Sequence, residues 1–332
     1  MNRKLKVAIV GATGVVGQEL ISILHERRFP LAELRLLASA KSAGEEMEFG
    51  EQSLTVDALT ADSFKDIDIA FGAVDNALAH QIAGWIAKTK TVFIDKSSAF
   101  RADKDVPLVV PEVNPADIKK YTLKNIIACP NCTSTPLVQM LAPLHHQFGL
   151  KRVVVASYQA VSGAGKAGME ELEKQTRDLF NMRETEPELF AHRIAFNLIP
   201  YIAGEEEKMV AETRRILNLP ELKIAATCVR VPVFNGHSAA VHMEFEKPIS
   251  VDAARELLGQ SKGLRIIDDL NLNAYPTPMV ASGGDMTLIG RVRIDESVPN
   301  GLAAWYSSDN LRTGAALNAV KIAEILAKEY LA

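Results

Sequence analysis

The first 130 residues alternate short apolar runs with stretches whose apolar residues recur at helical spacing. Because β-strands that alternate with helices form parallel sheets, this pattern predicts a doubly wound α/β domain. The strand-like runs are residues 5–10, 33–38, 67–74, 91–95 and 125–128, and the helical stretches are residues 18–26 and 77–87.

Strands predominate in the rest of the chain, which begins with a helical stretch at residues 137–148. This pattern predicts an α+β domain with a mixed, mostly antiparallel sheet. The final helical stretch, residues 314–330, must bury an apolar face, and packing back on the first domain is one solution. We therefore predict one domain of residues 1–130 with residues 312–332, and another of residues 131–311. The other strand-like runs are residues 152–158, 224–231, 238–245, 287–294 and 303–308, and the other helical stretches are residues 166–180 and 205–217.

The composition limits the classes of protein that the chain fits. With 332 residues, 48% of them hydrophobic, it is long enough for two domains with cores. A formal net charge of −4 favours no nucleic-acid partner. No apolar run approaches the roughly 20 residues of a membrane span, so neither a membrane partner nor a secretory leader is expected. Three cysteines do not make a disulfide framework and favour a reducing, cytoplasmic location.

A glycine-rich turn, GATGVVG, joins the first strand to the first helix and contains Gly11, Gly14 and Gly17. Such glycines let a bare backbone approach a pyrophosphate, whose charge the helix N-terminus stabilises. The spacing differs from the commonest dinucleotide fingerprint, but the flanking strand and helix favour a dinucleotide site and hence a Rossmann-type sheet. The alternative is that the glycines only let helix and strand pack closely.

The end of the second strand indicates which dinucleotide would bind. NAD sites usually place an acidic residue there to bind the ribose hydroxyls, whereas this chain has Ser39, Lys41 and Ser42. Hydroxyls and an ammonium group suit the 2′-phosphate of NADP, so we predict a preference for NADP. The alternative is that Lys41 is an ordinary solvated lysine.

A cysteine lies where a strand-like run changes into a helical one. Cys132 lies in ACPNCTSTP, residues 128–136, and the N-terminus of the following helix favours its thiolate, the nucleophilic form. One alternative is a buried packing residue, since free cysteines are usually buried. Another is a redox or metal-binding C-x-x-C with Cys129, but no second ligand pair lies nearby in the sequence, and no metal is expected.

Three other side chains are candidates for binding or proton transfer. Arg101 lies in a loop at the carboxyl edge of the predicted sheet and is either an anion clamp or a surface ion pair. Arg230 lies on the strand-like run 224–231, and His237 lies at the head of the next strand after the turn-forming pair Asn235-Gly236. A guanidinium binds a carboxylate and an imidazole transfers protons near neutral pH, although a single histidine is more often structural.

Six motifs along the whole chain closely resemble those of the aspartate-semialdehyde dehydrogenases. Each motif alone is modest, and their order and spacing make the resemblance specific. The motifs are GATGVVG at residues 11–17, VPLVVPEVN at 106–114, ACPNC at 128–132, QAVSGAG at 159–165, CVRVPV at 228–233 and SDN at 308–310.

The resemblance implies a reversible, NADP-dependent, phosphorylating oxidation of L-aspartate 4-semialdehyde to L-4-aspartyl phosphate. Such enzymes run reductively in the cell, toward lysine, threonine and methionine, and the family suggests a homodimer formed through the second domain. In the oxidative direction, Cys132 would add to the aldehyde and His237 would remove the hydroxyl proton as hydride leaves. Phosphate would then release the thioacyl-enzyme as the acyl phosphate.

The resemblance also assigns roles to individual residues. Cys132 would be the nucleophile, His237 the acid/base and Gln159 the residue that orients the intermediate. Glu205 would face the substrate ammonium, with Glu206 as the alternative. The other substrate-binding residues would be Arg230 for the carboxylate and Arg101, Lys208 and Asn131 for phosphate. The cofactor-binding residues would be Gly11, Thr13, Gly14, Val15, Val16, Ser39, Lys41, Ser42, Ser162, Gly163 and Asn310.

Two features depart from the family pattern. Lys41 stands where arginine is common, which leaves the strength of the NADP preference open, and the segment between Phe180 and Glu205 is compact. Two alternative functions remain. One is a reductase of N-acetyl-γ-glutamyl phosphate, which shares the fold and the chemistry, and the other is a catalytically silent relative that keeps the dinucleotide fold.

Overall fold

The chain folds into two compact units, and the computed structural model describes residues 3–331. The first unit contains the chain up to Asn131 and the segment from Ala315 onward, and the second is Cys132–Gly314. The α-helices are α1 (Val15–Glu26), α2 (Asn76–Ile86), α3 (Ser134–Phe148), α4 (Gly165–Phe180), α5 (Glu205–Ile216), α6 (Val251–Gln260), α7 (Pro278–Ala281) and α8 (Leu317–Ile325). Residues 1, 2 and 332, which the predicted domains include, lie outside the described range.

The sheet of the first unit has the strand order β3-β4-β2-β1-β5-β6-β7. Its strands are β1 (Leu5–Val10), β2 (Leu31–Ala38), β3 (Glu46–Phe49), β4 (Gln52–Ala58), β5 (Ile69–Gly72), β6 (Val92–Asp95) and β7 (Ile126–Ala128). All neighbouring strands are parallel except β3 and β4, which pair antiparallel at the edge. The predicted Rossmann-type sheet is confirmed, whereas the edge hairpin was not predicted.

Helix α8 completes the core of the first unit. Buried side chains at Ala316, Ala319, Val320 and Ala323 recur at helical spacing and pack in the same cluster as Leu20 of α1. The predicted continuous helix is α-helical only over Leu317–Ile325, because π-helical turns precede and follow it at Arg312–Ala316 and Leu326–Tyr330.

The sheet of the second unit has the strand order β11-β12-β13-β10-β8-β9. Its strands are β8 (Leu150–Gln159), β9 (Lys223–Arg230), β10 (His237–Phe245), β11 (Leu264–Ile266), β12 (Thr287–Ile294) and β13 (Gly301–Ser308). Three neighbouring pairs are antiparallel and two are parallel, which confirms the predicted mixed, mostly antiparallel sheet. Side chains of α3 and α6 share one apolar cluster with this sheet.

The strand order brings three strand ends together at one end of this sheet. Strands β9 and β10 are not neighbours, because β8 lies between them. The register pairs Gln159 with Arg230 on one side and Tyr158 with Ser238 on the other. The ends of β8 and β9 and the beginning of β10 therefore lie side by side. Among the described residues, no helix has the length and apolarity needed to cross a membrane.

Candidate active site

Cys132 lies at a strand-to-helix turn, as predicted, between the end of β7 at Ala128 and the beginning of α3 at Ser134. Its side chain is half-buried, and all three cysteines are free thiols. Cys129 is fully buried in the core of the first unit, and this burial raises the pKa of its thiol. These surroundings make Cys129 a poor nucleophile at neutral pH and support the assignment of Cys132.

The backbone of Gly314 lies directly against Cys132. A Cβ atom at position 314 would be 2.7 Å from the Cβ and 2.9 Å from the Cα of Cys132. The main-chain N–H of Gly314 donates to the carbonyl of Asp309 at 3.1 Å. Gly314 therefore fixes where the cysteine backbone lies, a role that the sequence analysis missed.

Replacing Gly314 by alanine is expected to lower turnover at least tenfold, because the new methyl group and the cysteine must move apart by about 0.7 Å to reach ordinary contact. Steady-state kinetics of Gly314→Ala would measure this loss. The matched control is Gly284→Ala, whose Cβ would approach nothing closer than a carbonyl oxygen at 3.1 Å. Equal turnover of the two variants would contradict the role assigned to Gly314.

The main chain of Ala160 connects an arginine and a histidine. Its carbonyl accepts a hydrogen bond from Nη1 of Arg230 at 2.7 Å, and its N–H donates to Nδ1 of His237 at 3.0 Å. Gln159 is buried just before Ala160, at the end of β8. A Cβ at Gly163 would lie 2.9 Å from Nη1 of Arg230 and 3.2 Å from Nε2 of His237. Four predicted site residues thus meet around one turn.

His237 is a neutral imidazole with a defined tautomer. Burial, and secondarily the positive charge of Arg230, lowers its pKa to about 3. Since Nδ1 accepts the N–H of Ala160, the single ring proton lies on Nε2. Nε2 is buried without a hydrogen-bond partner among the described residues. An unsatisfied buried donor is unfavourable by about 1–3 kcal/mol, which marks Nε2 as a group that a ligand would satisfy.

Arg230 is a largely buried cation close to several acidic groups. Burial lowers the pKa of its guanidinium, and a thiolate at Cys132, followed by the carboxylate of Glu205, raises it. Arginine stays protonated at any such pKa, so the site holds a permanent positive charge. The ring of Phe190 lies over the guanidinium, with 5.9 Å from Cζ to the ring centroid.

The first two glutamates of α5 make different contacts. Glu205 forms an ion pair with Lys208, with 3.0 Å between Oε1 and Nζ. Glu206 instead accepts a hydrogen bond from the main-chain N–H of Cys228 at 3.0 Å, which joins α5 to β9. Glu206 therefore joins two elements of the unit, whereas Glu205 pairs with the lysine one turn further along α5.

A polar network holds the loop before β10. Asn310 donates through Nδ2 to Oγ of Ser162 at 2.9 Å and accepts from the N–H of Gly236 at 2.9 Å. The buried carboxylate of Asp309 accepts from Nδ2 of Asn235 at 2.7 Å. Asp309 had no predicted role, although it lies within the SDN motif. Its position next to Asn310 was the available signal.

The first unit carries the predicted dinucleotide turn. Gly11 has a φ of +81°, and a Cβ there would lie 2.3 Å from the carbonyl oxygen of Ala73. Gly14 begins α1 without a side-chain cap, so the N–H groups of the first helical turn receive no side-chain cap. After β2, Ser39 and Lys41 are exposed and no acidic side chain follows within that turn.

The other predicted site residues of the first unit are half-buried or buried. Thr13, Val15, Val16 and Ser42 are half-buried around the two turns. Arg101 is half-buried and donates from Nη2 to the carbonyl of Lys96 at 2.8 Å, and Asn131 is buried. Among residues 3–331, no group of three His, Cys, Asp or Glu side chains is arranged to hold a metal ion.

A Rossmann-type unit followed by a unit with a mixed sheet, which begins at a cysteine and contains a buried arginine and histidine, is typical of a dinucleotide-dependent oxidoreductase. Residues 6–121 match the family described as semialdehyde dehydrogenase, NAD binding domain, and residues 141–313 match semialdehyde dehydrogenase, dimerisation domain. The chain belongs to the aspartate-semialdehyde dehydrogenase family.

Relatives with this name match the chain over almost its whole length. The aspartate-semialdehyde dehydrogenase of Aquifex aeolicus is 47% identical, over 98% of this chain and 99% of its own. That of Synechocystis is 44% identical, over 98% of both chains. A crystal structure of aspartate semialdehyde dehydrogenase II from Vibrio cholerae, complexed with ASA, is 41% identical over 99% of both chains, with a TM-score of 0.95. A Candida albicans enzyme with NADP is 26% identical over 98% of both chains, with a TM-score of 0.76.

Proposed function

We propose that the chain catalyses the reaction of L-aspartate 4-semialdehyde, phosphate and NADP⁺ to L-4-aspartyl phosphate and NADPH. In the cell the reaction runs reductively, toward lysine, threonine and methionine. The observation that carries this proposal is the turn at Ala160, which joins Arg230 to His237 in the unit that begins with Cys132.

The charges of the second unit suit a small amino acid. Arg230 is proposed to bind the substrate carboxylate, because a guanidinium binds a carboxylate through two parallel hydrogen bonds. Glu205 is proposed to bind the substrate ammonium. A carboxylate at that position favours a free ammonium over an uncharged N-acetyl group, which argues against the reductase of N-acetyl-γ-glutamyl phosphate.

Cys132 is proposed to carry the acyl group. Its thiolate forms a bond to the aldehyde carbon, and the aldehyde oxygen takes the electron pair as an alkoxide. When hydride leaves this carbon, the alkoxide becomes the carbonyl of a thioester. Gln159, buried beside Ala160, is proposed to orient this intermediate. A thioester conserves the energy of oxidation, which is why a cysteine suits the site better than a serine.

The tautomer of His237 changes the role that was predicted for it. A base needs an unprotonated ring nitrogen toward the substrate, but Nδ1 accepts the N–H of Ala160 and Nε2 bears the proton. We therefore propose that Nε2–H donates a hydrogen bond to the oxygen of the hemithioacetal and stabilises its alkoxide. No proton has to leave this oxygen, because it enters as an alkoxide and becomes a carbonyl.

Cationic side chains are proposed to bind phosphate. Lys208 is the proposed phosphate-binding cation of the second unit, because its ammonium group is held in place by the carboxylate of Glu205. By resemblance to the family, Arg101 and Asn131 of the first unit are also proposed to bind phosphate. When phosphate attacks the thioester carbon, the thiolate of Cys132 leaves and the acyl phosphate forms. Neutralising the phosphate charge and orienting its oxygen are the two contributions expected of these groups.

NADP is the proposed cofactor, and it accepts or supplies the hydride when bound. The bare backbone at Gly11 and the uncapped first turn of α1 fit a pyrophosphate. The exposed Ser39 and Lys41, with Ser42, fit a 2′-phosphate better than ribose hydroxyls alone. By resemblance, Ser162, Gly163 and Asn310 are the proposed cofactor contacts of the second unit.

The domain roles and the assembly remain part of the proposal. Residues 1–130 with 312–332 are proposed to bind the cofactor, and residues 131–311 to carry catalysis and form a homodimer. The match of residues 141–313 to a dimerisation domain supports the dimer. Three free thiols support the proposed cytoplasmic location.

Steady-state rates with two substrates test the proposal. With NADP⁺ and phosphate, L-aspartate 4-semialdehyde is expected to give a kcat/KM at least 10³-fold higher than N-acetyl-glutamate 5-semialdehyde, because the site pairs Glu205 with a free ammonium. The rate is expected to vanish without phosphate. Preference for the N-acetylated substrate would make the chain the alternative reductase, and no reaction with either would make it a silent relative.

A further inference from the structure

A segment between α4 and α5 is held in place by polar side chains. We call residues 188–199 the strap, and it has no helix and only an isolated bridge at Ile199. Glu171 and Gln175, one turn apart on α4, accept hydrogen bonds from four main-chain N–H groups of the strap. These N–H groups belong to Glu188 and Leu189, at 3.1 and 2.6 Å from Glu171, and to Ile194 and Ala195, at 2.9 and 3.1 Å from Gln175.

The two anchoring side chains are themselves buried. Glu171 is 6% exposed and Gln175 is 0% exposed. Nε2 of Gln175 also donates to Oε1 of Glu171 at 2.8 Å. A buried carboxylate and a buried amide are unfavourable unless they are hydrogen-bonded, and the strap supplies those bonds. The compact segment that departs from the family pattern is therefore a fixed part of the second unit.

The strap contacts Arg230 in two ways. Its main chain pairs with Arg230 through Ile199, with N–H to carbonyl bonds of 2.8 and 3.0 Å. Its side chain Phe190 lies over the guanidinium of Arg230. The strap thus contacts both the backbone and the guanidinium of Arg230.

The buried guanidinium of Arg230 makes one hydrogen bond. Among residues 3–331, its only side-chain hydrogen bond is the one from Nη1 to the carbonyl of Ala160. A single hydrogen bond does not define the plane of a guanidinium by itself, and a cation–π contact adds a second restraint that uses none of the N–H donors. Two parallel hydrogen bonds to a carboxylate require a fixed plane.

We propose that Phe190, held by Glu171 and Gln175 of α4, is a positioning residue that fixes the guanidinium of Arg230 for recognition of the substrate carboxylate. This inference rests on the proposed function of Arg230. The contact between the ring and the guanidinium, with 5.9 Å from Cζ to the ring centroid, uses none of the N–H donors, so these donors stay available to a carboxylate. Phe190 thereby affects selectivity for substrates that carry the carboxylate.

The ring is tightly packed at its far end. A Cβ at Gly168 would lie 3.3 Å from Cζ of Phe190, so this end of the ring lies close to α4. Alanine and leucine remove the aromatic ring without adding volume, which makes them the suitable replacements. Phe196 provides a matched control, because it is an aromatic residue of the same strap that is 66% exposed and contacts the ring of Phe180.

The experiment measures the kinetics of Phe190→Ala, Phe190→Leu, Phe196→Ala and Arg230→Ala with L-aspartate 4-semialdehyde and with 3-aminopropanal, which lacks the carboxylate. Phe190→Ala is expected to raise KM for the semialdehyde about tenfold, with kcat within about twofold, and Phe190→Leu less. KM for phosphate and kcat/KM for 3-aminopropanal are expected to stay unchanged. Phe196→Ala is expected to behave like the parent protein.

The outcomes separate this inference from the proposal on which it rests. If Arg230→Ala leaves KM for the semialdehyde unchanged, the proposed carboxylate site is wrong. If Arg230→Ala raises this KM but Phe190→Ala behaves like Phe196→Ala, the role of Phe190 is overturned. Equal losses of Phe190→Ala with both aldehydes would also overturn it, because they would indicate general damage to the unit.

Discussion

Replacement of Cys132 by serine is expected to lower turnover by roughly 10⁴-fold or more. A serine hydroxyl is not ionised near neutral pH, whereas the proposed reaction needs a thiolate as its nucleophile. Steady-state formation of NADPH from the semialdehyde and phosphate measures the loss. Mass spectrometry without phosphate adds a direct test, since the parent protein is expected to accumulate one acyl group on Cys132 and the variant none.

Cys129→Ser is the control for this prediction. Cys129 lies in the core of the first unit, so its serine variant is expected to keep turnover within about twofold and to lose roughly 1–3 kcal/mol of unfolding free energy. Urea denaturation measures that loss. An inactive Cys129→Ser together with an active Cys132→Ser would reverse the assignment of the nucleophile.

The parts of the fold that the sequence predicted are those with a strong apolar signal. Strand β1 is buried along almost its whole length, so its residues read as one apolar run. The edge strand β3 and its neighbour β4 contain mainly exposed positions, and their sequences EMEF and QSLTVDA give no such signal. The hairpin was missed because an edge strand needs little burial.

The order of the strands in the second unit could not be predicted from local pattern. The Asn235-Gly236 pair favours a tight turn between neighbouring strands, but β8 lies between β9 and β10. That insertion depends on hydrogen bonds between segments distant in sequence. It is also what brings Gln159 beside Arg230.

Residue type predicted the reactive groups but not their supports. Cys132, Arg230 and His237 were predicted because of the chemistry of their side chains and because their neighbours form motifs. Gly314 and Phe190 were missed, because each matters only through contact with a distant residue. Likewise, the tautomer of His237 depends on a main-chain N–H that no sequence pattern reveals.

Replacing His237 tests whether this side chain acts as a hydrogen-bond donor or as a general base. His237→Ala is expected to lower kcat about 10²–10³-fold, the usual effect of losing one hydrogen-bond donor to a developing oxyanion. His237→Gln is expected to retain more activity, within about tenfold of the parent, because its amide N–H can take the place of Nε2–H. Stopped-flow measurement of the hydride step compares the two variants.

The pH dependence supplies the second half of this test. Burial lowers the pKa of His237 to about 3, so the imidazole is neutral from pH 5 to 8 and protonates only in strong acid. The profile of kcat/KM is therefore expected to show no ionisation of His237 in that range, and His237→Ala is expected to keep the shape of the parent profile. If the parent instead shows an acid limb near pH 6.5 that His237→Ala lacks, and His237→Gln is inactive, His237 acts as the base. This result would contradict the donor role. A base loses activity as it becomes protonated, whereas a neutral N–H donor with a pKa of about 3 does not change its protonation near pH 6.5.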